Sequence, residues 1–504
     1  MRTLYRARRV HTLGIAPPGE WVLVDGRHVQ RVGAGEPPSA DRVVELPGAT
    51  ILPGFVDAHV HLSATGLALE AEEVRAAPSR EALLAIARAR AEGPGEGLVC
   101  LEGWDESAWP DPRPPAIDEL DALTPRPLVL FRADGHVALV NRAALASVDL
   151  AGAEGVEHDA HGRPTGRVVG AAQRLLRRAS SSNRSREQVE GLQLRAAATA
   201  AARGITAVHE MSMPESDGLR DLEVLLAHRD RLPVDATPIV ATTDLPLAIA
   251  LGLSAIGGDL PVDGSIGART AAVSVPYEDG GGTGAMYLDG DALVSFLHAG
   301  HAAGLQVGVH AIGDRAIEAV LVAWERVYGA LDSRARRHFR ARRHRIEHVE
   351  MASDDQIERA AMLGLAASIQ PAFDRLWGGP GGLYERALGP ERAARMNPVR
   401  TFLSRGVLVG AGSDAPVTPL DPWLGVASLE THHDPAQRLS RLEAVGLLTV
   451  GAARLGHQED KKGVLQPGGH ADLVAWPVDP LEAPEVEGLR PLLTVSLGRE
   501  VFAA

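Results

Sequence analysis

The stretch Ile51-Leu-Pro-Gly-Phe-Val-Asp-Ala-His-Val-His61 joins an apolar β-like run to two histidines at its end. Side chains two positions apart in a strand point to the same face, so His59 and His61 can offer two neutral imidazole nitrogens to one metal ion. A single His-x-His pair is weak support, because surface strands carry such pairs by chance. The interpretation therefore depends on whether further ligands follow along the chain.

Three later apolar runs also end in a residue that can bind a metal ion: Val307-Gly-Val-His310, Arg345-Ile-Glu-His348 and Val407-Leu-Val-Gly-Ala-Gly-Ser-Asp414. Taken singly, each residue has an ordinary explanation, since a lone histidine is commonly a satisfied core residue and an aspartate commonly caps a helix or turn. Four strand ends that each offer a ligand leave chance as a poor explanation. They predict one metal site at the carboxyl ends of barrel strands, where barrel enzymes place their active sites.

The middle of the chain alternates β-like runs with helical stretches rich in Ala, Arg, Leu and Glu. This alternation is typical of parallel βα units and predicts an α/β fold with a (β/α)₈ TIM-like barrel. Two strand positions stay open: Leu98–Glu102 and Leu128–Phe131 compete for one, and Val234–Val240 and Ser254–Val262 compete for the other. The remaining predicted strands are Ile51–His61, Ile205–Glu210, Gln306–His310, His344–His348, Leu365–Gln370 and Val407–Asp414.

Both ends of the chain show short apolar runs separated by Gly and Pro turns. Residues 1–50 and 461–504 are therefore predicted to form the two parts of one small β-sandwich. Residues 51–460 are predicted to form the barrel. The stretch at about 63–203 is longer than one helical crossover needs, which indicates a subdomain inserted into the barrel.

Composition and charge narrow the class of protein. The 504 residues are 45% hydrophobic and 23% charged, which supplies a large buried core. A formal net charge of −14 disfavours nucleic acid as a partner, because such binding depends on Lys and Arg at phosphates. The only cysteine, Cys100, excludes an intrachain disulfide and a Cys-rich zinc site.

The same observations set expectations for location and partners. The N-terminal stretch lacks the apolar part of a signal peptide, and no apolar run reaches the roughly 20 residues needed to cross a bilayer. We therefore expect a cytoplasmic protein with a small-molecule substrate and no membrane partner. A homodimer is compatible with such a barrel, although no feature of the sequence decides it.

Motifs spread from about residue 50 to 475 resemble those of the amidohydrolase superfamily, and most closely its branch related to N-substituted formamide deformylases (amidohydrolase family 3). The shared motifs are Pro53-Gly-Phe-Val-Asp-Ala-His-Val-His61, His310, His348, Gly412-Ser-Asp414 and Gly463-Val-Leu-Gln-Pro-Gly-Gly-His-Ala-Asp-Leu-Val474. The branch is further indicated by Gly103-Trp-Asp-Glu-Ser-Ala-Trp109, Arg132-Ala-Asp-Gly-His-Val-Ala-Leu-Val-Asn141, Asp263-Gly-Ser-Ile-Gly-Ala-Arg269 and His310-Ala-Ile-Gly-Asp-Arg315.

The resemblance implies that His59 and His61 bind a metal ion together with Asp414, and that His310 and His348 bind a second ion or shape a site for one. Asp414 would orient the attacking water, take its proton and pass it to the leaving nitrogen, so Asp414, His348 and His310 are the catalytic candidates. These ligands suit a divalent ion, with zinc expected and iron or manganese as alternatives. One or two ions per chain fit the ligand set, and one is favoured.

The chain departs from the pattern that the resemblance implies at the bridging ligand. Many binuclear members of the superfamily use a carboxylated lysine there, yet Lys461 and Lys462 are the only lysines and neither lies on a predicted barrel strand. The position four residues before Asp263, where the branch carries a lysine, is Asp259. Glu210 and Asp259 are therefore the candidates for a substitute bridge, although Glu210 could equally cap a helix.

Further polar and aromatic residues are candidates for the substrate pocket. Arg269 and Arg315 could pair with a substrate carboxylate, although ion pairs within the protein are the ordinary role of such residues. Trp104 could form part of an apolar wall, or simply belong to a core. In the predicted insertion, the candidates are Asp134, His136 and Asn141.

Together these patterns predict a metal-dependent hydrolase that cleaves a non-peptide C–N bond, in an amide, N-acyl or N-formyl group, by metal-activated water. A deaminase or a cyclic-amide hydrolase on the same scaffold is the nearest alternative. A barrel that binds a ligand without catalysis is the alternative from another class, because fold does not fix function. Five intact ligand candidates argue against that last reading.

Overall fold

Eight short parallel strands form the predicted barrel in a computed structural model of the 504-residue chain. The structure describes residues 1–70, 72–92, 98–106, 109–133, 135–150, 153–182, 184, 186–214 and 219–504. The chain divides into two units. The first comprises Met1–His61, Ala197–Ser212 and Arg229–Ala504, and the second comprises Leu62–Ala196 and Met213–His228.

The strands, in chain order, are β1 (Arg2–Val10), β2 (Gly19–Asp25), β3 (His28–Gly33), β4 (Arg42–Pro53), β5 (Phe55–Val60), β6 (Val99–Trp104), β7 (Leu128–Arg132), β8 (Val137–Val140), β9 (Val156–His158), β10 (Pro164–Val169), β11 (Ile205–Ser212), β12 (Asp235–Val240), β13 (Ala255–Ile256), β14 (Gln306–Ala311), β15 (Arg345–His348), β16 (Ala366–Ile369), β17 (Leu408–Ala411), β18 (Leu473–Trp476), β19 (Leu493–Ser496) and β20 (Arg499–Ala503).

The α-helices of the described residues are Leu62–Glu70, Glu72–Arg75, Arg80–Glu92, Ile117–Asp121, Arg142–Ser147, Gly170–Ser182, Arg186–Ala201, Leu219–His228, Leu245–Ala250, Gly290–Ala302, Asp314–Gly329, Ser333–Arg342, Asp354–Leu363, Pro371–Trp377, Leu383–Leu388, Pro390–Ala393, Val399–Ser404, Pro422–Glu430, Arg441–Gly446 and Ala452–Leu455. Among the described helices, none is both long enough and apolar enough to cross a membrane.

The barrel sheet runs in the order β17-β16-β15-β14-β13-β12-β11-β5. Its two edges meet where Asp414 donates its N–H to the carbonyl of His59 (2.8 Å) and His61 donates its N–H to the carbonyl of Ala415 (2.9 Å). These two hydrogen bonds nearly close the barrel at the carboxyl ends of the strands, which is where the candidate ligands lie. The fold class predicted from the sequence is confirmed.

Of the two strand positions left open, β12 fills one and β13 fills the other. The sequence had presented these two segments as competitors for a single position. Leu98–Glu102 and Leu128–Phe131 were both wrong as barrel strands, because they form β6 and β7 of a separate five-stranded sheet in the second unit. That sheet has the order β6-β7-β8-β10-β9, with β6 and β7 parallel and the other pairs antiparallel. Buried apolar runs look alike in either sheet.

Helices pack on the barrel through apolar stripes at helical spacing. The helix Asp314–Gly329, for example, buries Ile317, Val320, Leu321 and Trp324 on one face. It follows β14 directly, as a parallel βα unit requires. This helix thereby supports β14, the strand that precedes it, and leaves the carboxyl end of that strand available for functional side chains.

Both ends of the chain pair into one seven-stranded sheet, in the order β20-β19-β18-β4-β1-β2-β3. The long strand β4 joins the two ends, since Arg42–Leu46 pairs with β1 and Thr50–Pro53 pairs with β18. One face of the sheet buries a core from both ends of the chain, including Tyr5, Val22, Ile51, Leu473 and Val495. The sheet continues into the barrel, because β4 leads directly to β5.

Lys462, one of the two lysines, is buried in this first unit. Its Nζ lies 2.7 Å from Asp472 Oδ2 and 3.2 Å from Asp235 Oδ2. Burial lowers the pKa of Lys462, but the two carboxylates outweigh burial and raise it, so the lysine stays charged. Asp235 is the first residue of β12, so this lysine belongs to the amino-terminal end of the barrel and not to the ligand-bearing end.

We expect Lys462→Ala to lower the free energy of unfolding by about 3–5 kcal/mol, because it leaves the buried carboxylate of Asp472 without its cation. Lys461→Ala is the matched control, since Lys461 is exposed and its loss is expected to cost less than about 0.5 kcal/mol. Denaturant unfolding of both variants measures the difference. Equal stabilities would contradict a structural role for the Lys462 pair.

Candidate metal centre

Six side chains converge at the carboxyl ends of the barrel strands. His59 is on β5, His310 on β14 and His348 at the end of β15. The others lie in the segments that follow β5, β13 and β17: His61, Asp259 and Asp414. All six are largely withdrawn from solvent, and His59 is completely buried. The strands thus bring together the five ligand candidates of the sequence and one of the two candidate bridges.

The backbone at two of these strand ends adopts an uncommon conformation. His348 has φ +68° and Asp414 has φ +56°, values in the left-handed region that cost roughly 1–2 kcal/mol for a residue with a Cβ. Such strain persists only where surrounding contacts fix it, and it clusters at functional sites. A Cβ on Gly412 would lie 2.4 Å from the backbone nitrogen of His59. Only glycine therefore lets the end of β17 approach the end of β5 this closely.

Each of the four imidazoles commits one nitrogen to a protein acceptor. Nδ1 of His59 bonds to Glu347 Oε2 (3.0 Å), and Nδ1 of His61 bonds to the carbonyl of Met211 (2.8 Å). Nδ1 of His348 bonds to Gln370 Oε1 (2.7 Å), and Nε2 of His310 bonds to the carbonyl of Gly264 (3.2 Å).

When these nitrogens act as donors, the second nitrogen of each neutral ring carries a lone pair. That nitrogen lies close to Asp259 or Asp414 in every case. Metal-binding histidines are oriented in this way by an outer hydrogen bond.

The free nitrogens and the carboxylates form two groups with one shared member. Asp414 Oδ1 lies 3.4 Å from His59 Nε2 and 3.2 Å from His61 Nε2. Asp259 Oδ1 lies 3.1 Å from both His310 Nδ1 and His348 Nε2. Asp259 also reaches the first group, at 3.7 Å from His59 Nε2 and 3.5 Å from His61 Nε2. Asp259 therefore lies between the two groups.

These spacings fit a metal ion. Two ligand atoms that bind zinc at about 2.1 Å in tetrahedral geometry are about 3.4 Å apart. His59 Nε2 and Asp414 Oδ1 are also buried atoms for which the described residues supply no hydrogen-bond partner. Buried polar atoms without partners are costly, and a cation among them would satisfy both. The donor set of imidazole and carboxylate suits zinc, iron or manganese.

The carboxylates favour positive charge in the centre. Burial lowers the pKa of His61, but the adjacent carboxylate of Asp414, followed by that of Asp259, outweighs burial and raises it to about 10. For His348, burial is likewise outweighed, by Asp259 and Asp414, and the pKa rises to about 9. The field that would hold protons on these rings is the field that binds a divalent cation in their place.

An ion pair in the barrel interior supports the centre, and no role for it was predicted from the sequence. Arg345 donates to both oxygens of Glu347 (2.7 and 2.9 Å), and Glu347 in turn holds His59. Arg345 also bonds to Nδ1 of His209 (3.1 Å) and to the hydroxyl of Ser368 (3.2 Å). The signal in the sequence was the charged pair Arg-Ile-Glu within a fully buried strand, because charged residues are rarely buried unless paired.

Residues around the second group are tied together as firmly. Asp263 accepts hydrogen bonds from the N–H groups of Ala272 (2.7 Å), Ile312 (3.0 Å) and Gly313 (2.8 Å), so it fixes the loop after β13 against the end of β14. Tyr384 donates its hydroxyl hydrogen to Glu350. Burial raises the pKa of Glu350 to about 7. Neither Tyr384 nor Glu350 was assigned a role from the sequence.

Of the two candidate bridges, only Asp259 belongs to a ligand group of the described residues. Glu210 is buried on β11 and receives a long hydrogen bond from Ser212 (3.5 Å), and its charge acts on His61. A third group with ligand-like residues, Asp374 with His432 and His433, lies outside this centre. Each nitrogen of its two histidines already bonds to a protein atom, so it is explained as a hydrogen-bonded clasp.

The two arginines predicted to line the pocket differ in how many contacts their guanidinium groups make within the protein. Arg269 forms a two-pronged ion pair with Asp279, with Nε 3.0 and 2.8 Å from the carboxylate oxygens, and also donates to the carbonyl of Ile266 (2.6 Å). Arg315 makes a long bond to the hydroxyl of Thr283 (3.5 Å), and its buried Nε has no partner among the described residues. Arg315 is thus the better pocket candidate.

The other pocket candidates lie in the second unit. Trp104 packs in an apolar core and donates Nε1–H to the carbonyl of Leu130 (3.0 Å). Asn141 caps the helix Arg142–Ser147, and its amide and carbonyl groups all bond to neighbouring backbone. These contacts give both residues a structural role. His136 is exposed before β8, and Asp134 lies outside the described residues.

The chain matches the amidohydrolase family over residues 42–502 and belongs to that family. The YtcJ protein of Bacillus subtilis (strain 168) is 29% identical over 475 residues, which are 87% of this chain and 85% of YtcJ. The N-substituted formamide deformylase of Arthrobacter pascens is 26% identical over 515 residues, 94% of this chain and 92% of the deformylase.

Among solved structures, an uncharacterized metal-dependent hydrolase from Pyrococcus furiosus is similar, with a TM-score of 0.77 and 27% identity. The match covers 96% of this chain and 100% of the Pyrococcus chain. With the His and Asp centre described above, these similarities identify a metal-dependent hydrolase. The family predicted from the sequence is confirmed.

We expect Glu347→Gln to weaken metal binding about 10–100-fold, because the amide no longer fixes the His59 ring as the carboxylate does. The exposed Glu391→Gln is the control with the same change in chemistry and no contact to the centre. Competition with a chelator measures the affinity, and circular dichroism confirms that both variants fold. An unchanged affinity in folded Glu347→Gln would show that this carboxylate does not position His59.

Proposed function

We propose that this amidohydrolase cleaves a C–N bond outside peptides, in an N-formyl, N-acyl or related amide of a small molecule. The observation that supports the hydrolytic part is the centre itself, in which four oriented histidines face two carboxylates. The choice of bond is supported by the similarity to an N-substituted formamide deformylase along nearly the whole chain. Localisation in the cytoplasm remains part of the proposal.

A divalent ion, which we propose is zinc, would supply the Lewis acidity that polarises the carbonyl group and acidifies water. The protein residues then handle the proton. Asp414, whose pKa lies below its usual range because the neighbouring His59 and His61 outweigh burial, is ionised at neutral pH. It can orient the attacking water, accept its proton and deliver that proton to the leaving nitrogen.

The number of metal ions that we propose for the centre depends on the position of Asp259. The sequence favoured one ion because no lysine is placed to bridge two. Asp259 lies within 3.7 Å of ligand nitrogens of both groups, so one carboxylate oxygen can serve each group. We therefore propose two ions per chain. One would be bound by His59, His61 and Asp414 and the other by His310 and His348, with Asp259 as a ligand shared by both.

Metal analysis tests this arrangement. Purified protein loaded with zinc is expected to hold two ions per chain, and Asp259→Asn one or none, because the amide lacks the second anionic oxygen. Asp291→Asn is the control, since the Asp291 side chain is 88% exposed. Two ions retained by Asp259→Asn would rule out the shared ligand. One ion in the wild type would restore the single-ion expectation.

Activity against three substrate classes tests the reaction. We expect hydrolysis of N-formyl or N-acyl amines, and Asp414→Asn should lower kcat about 10²–10⁴-fold by removing the proton acceptor. Release of formate or another acid with a free amine identifies amide hydrolysis, whereas release of ammonia from an aromatic base identifies a deaminase. Full activity of Asp414→Asn would exclude this role, and turnover of dipeptides alone would exclude the proposed bond.

A further inference from the structure

The barrel contains a cavity of about 250 Å³ at the end opposite the metal centre. Its wall includes Gln306 and Arg345, which are the first residues of β14 and β15, and Ala255, the first residue of β13. The amino-terminal strand ends therefore form this cavity, whereas the candidate metal ligands lie at the carboxyl ends. The volume equals that of about eight liquid water molecules, which is room for a small organic ion.

The rim of the cavity is open to solvent. Ser254, Arg342 and His457 are exposed residues of the wall, while His209 and Arg345 are buried at its inner end. A small molecule can therefore enter without a change in the barrel strands. It would meet a wall whose deep end is rigid, because Arg345 is held by Glu347 and Ser368.

The wall is basic in an acidic protein. Among the described residues that line it are two arginines and two histidines and no carboxylate. The charge of Arg345 is balanced by Glu347, and that of the neighbouring Arg343 by Glu459 (2.6 Å). Arg342 differs from both, since no carboxylate of the described chain lies within ion-pair distance of its guanidinium.

The charge of Arg342 contributes to the lowered pKa values of two nearby histidines. Burial first, and then the charge of Arg342, lower the pKa of His301, and burial, His301 and Arg342 together lower that of His344. Histidines whose pKa is lowered in this way stay neutral, so they neither compensate nor add to the charge of Arg342. Arg342 thus brings to the rim a positive charge that no carboxylate of the described residues offsets.

His209 lies at the inner end of the cavity, beside Arg345. Its Nδ1 faces Arg345, which can only donate, so Nδ1 accepts and the hydrogen of the neutral ring lies on Nε2. Nε2 has no acceptor among the described residues, and it is buried against Gly456, where a Cβ would lie 2.5 Å from it. Among the wall residues, the accessible donors without a matching carboxylate are therefore those of Arg342.

We propose that this cavity is a second small-molecule site that binds a small oxyanion, a carboxylate or a phosphate, with Arg342 as its principal cation. Guanidinium pairs with such groups through two parallel hydrogen bonds, and a cavity without carboxylates imposes no repulsion on them. The site is separate from the hydrolytic centre, so its existence does not depend on the proposed reaction.

Calorimetric titration of the metal-loaded protein with inorganic phosphate and with succinate, in chloride buffer of constant ionic strength, tests the site. Arg342→Ala is expected to raise the Kd of at least one probe about tenfold, which corresponds to about 1.4 kcal/mol. Arg337→Ala is the matched control, because Arg337 is an exposed arginine of the same helix Ser333–Arg342 and does not line the cavity. Its Kd should stay within about twofold of the wild type.

Two further variants separate the cavity from other binding modes. Ser254→Trp is expected to abolish binding by filling the rim without changing charge. Asp414→Asn is expected to retain it, whereas a probe bound at the metal ions would respond to Asp414→Asn and ignore Arg342→Ala. Equal affinities of Arg342→Ala and Arg337→Ala, or no saturable binding of either probe to the wild type, would overturn the proposal.

Discussion

The ion pair between Arg345 and Glu347 in the barrel interior is the contact on which the metal centre depends. Both side chains are withdrawn from water, and such a pair gains little net stability because its desolvation offsets its attraction. Its value is positional, since Glu347 holds the inner nitrogen of His59 and Arg345 reaches the carbonyl of Ala58 (2.9 Å). One buried arginine thereby fixes both the ring and the backbone of a candidate ligand.

The same pair connects the two ends of the barrel. From the carboxyl end the chain of contacts runs from His59 to Glu347 and Arg345, and from Arg345 it continues to His209 in the wall of the lower cavity. Polar groups in a low-dielectric interior must be fully paired, so each link constrains the next. Each end of this chain leaves one ring nitrogen without a partner among the described residues, Nε2 of His59 and Nε2 of His209.

The sequence predicted what depends on local pattern. Apolar runs that end in His59, His310, His348 and Asp414 indicated both the barrel and the place where its functional residues gather. The assignment of β6 and β7 failed for a physical reason, because a strand buried on both faces has the same composition in a barrel and in a small mixed sheet.

The support of the site was harder to predict, because it depends on contacts between distant strands. Glu347 touches His59 across 288 positions of the chain, and no periodicity reports such a contact. Motif residues outside the centre were also ambiguous, since Asn141 uses its side chain to cap a helix. A polar residue in a family-like motif can hold the fold as readily as it can hold a substrate.

The position of Asp259 shows how a chain without a lysine on its barrel strands can still place a carboxylate between two ligand groups. A carboxylated lysine reaches across a site on a flexible four-carbon stem, whereas aspartate carries its carboxylate directly on Cβ. The backbone must therefore come closer to the ligands. Gly258, the preceding residue, makes this approach: it has φ +57°, and a Cβ there would lie 2.8 Å from Ile239 and from the sulfur of Met211.

The short side chain also carries little conformational freedom, so few rotamers are lost when it is fixed between His310 and His348. The loop that bears it is fixed in turn by Asp263, through three backbone hydrogen bonds. A close, rigid loop with a short acid takes the place of a distant, flexible side chain. The glycine at 258 and the aspartate at 259 therefore form one structural solution, in which the glycine permits the close approach and the aspartate supplies the carboxylate.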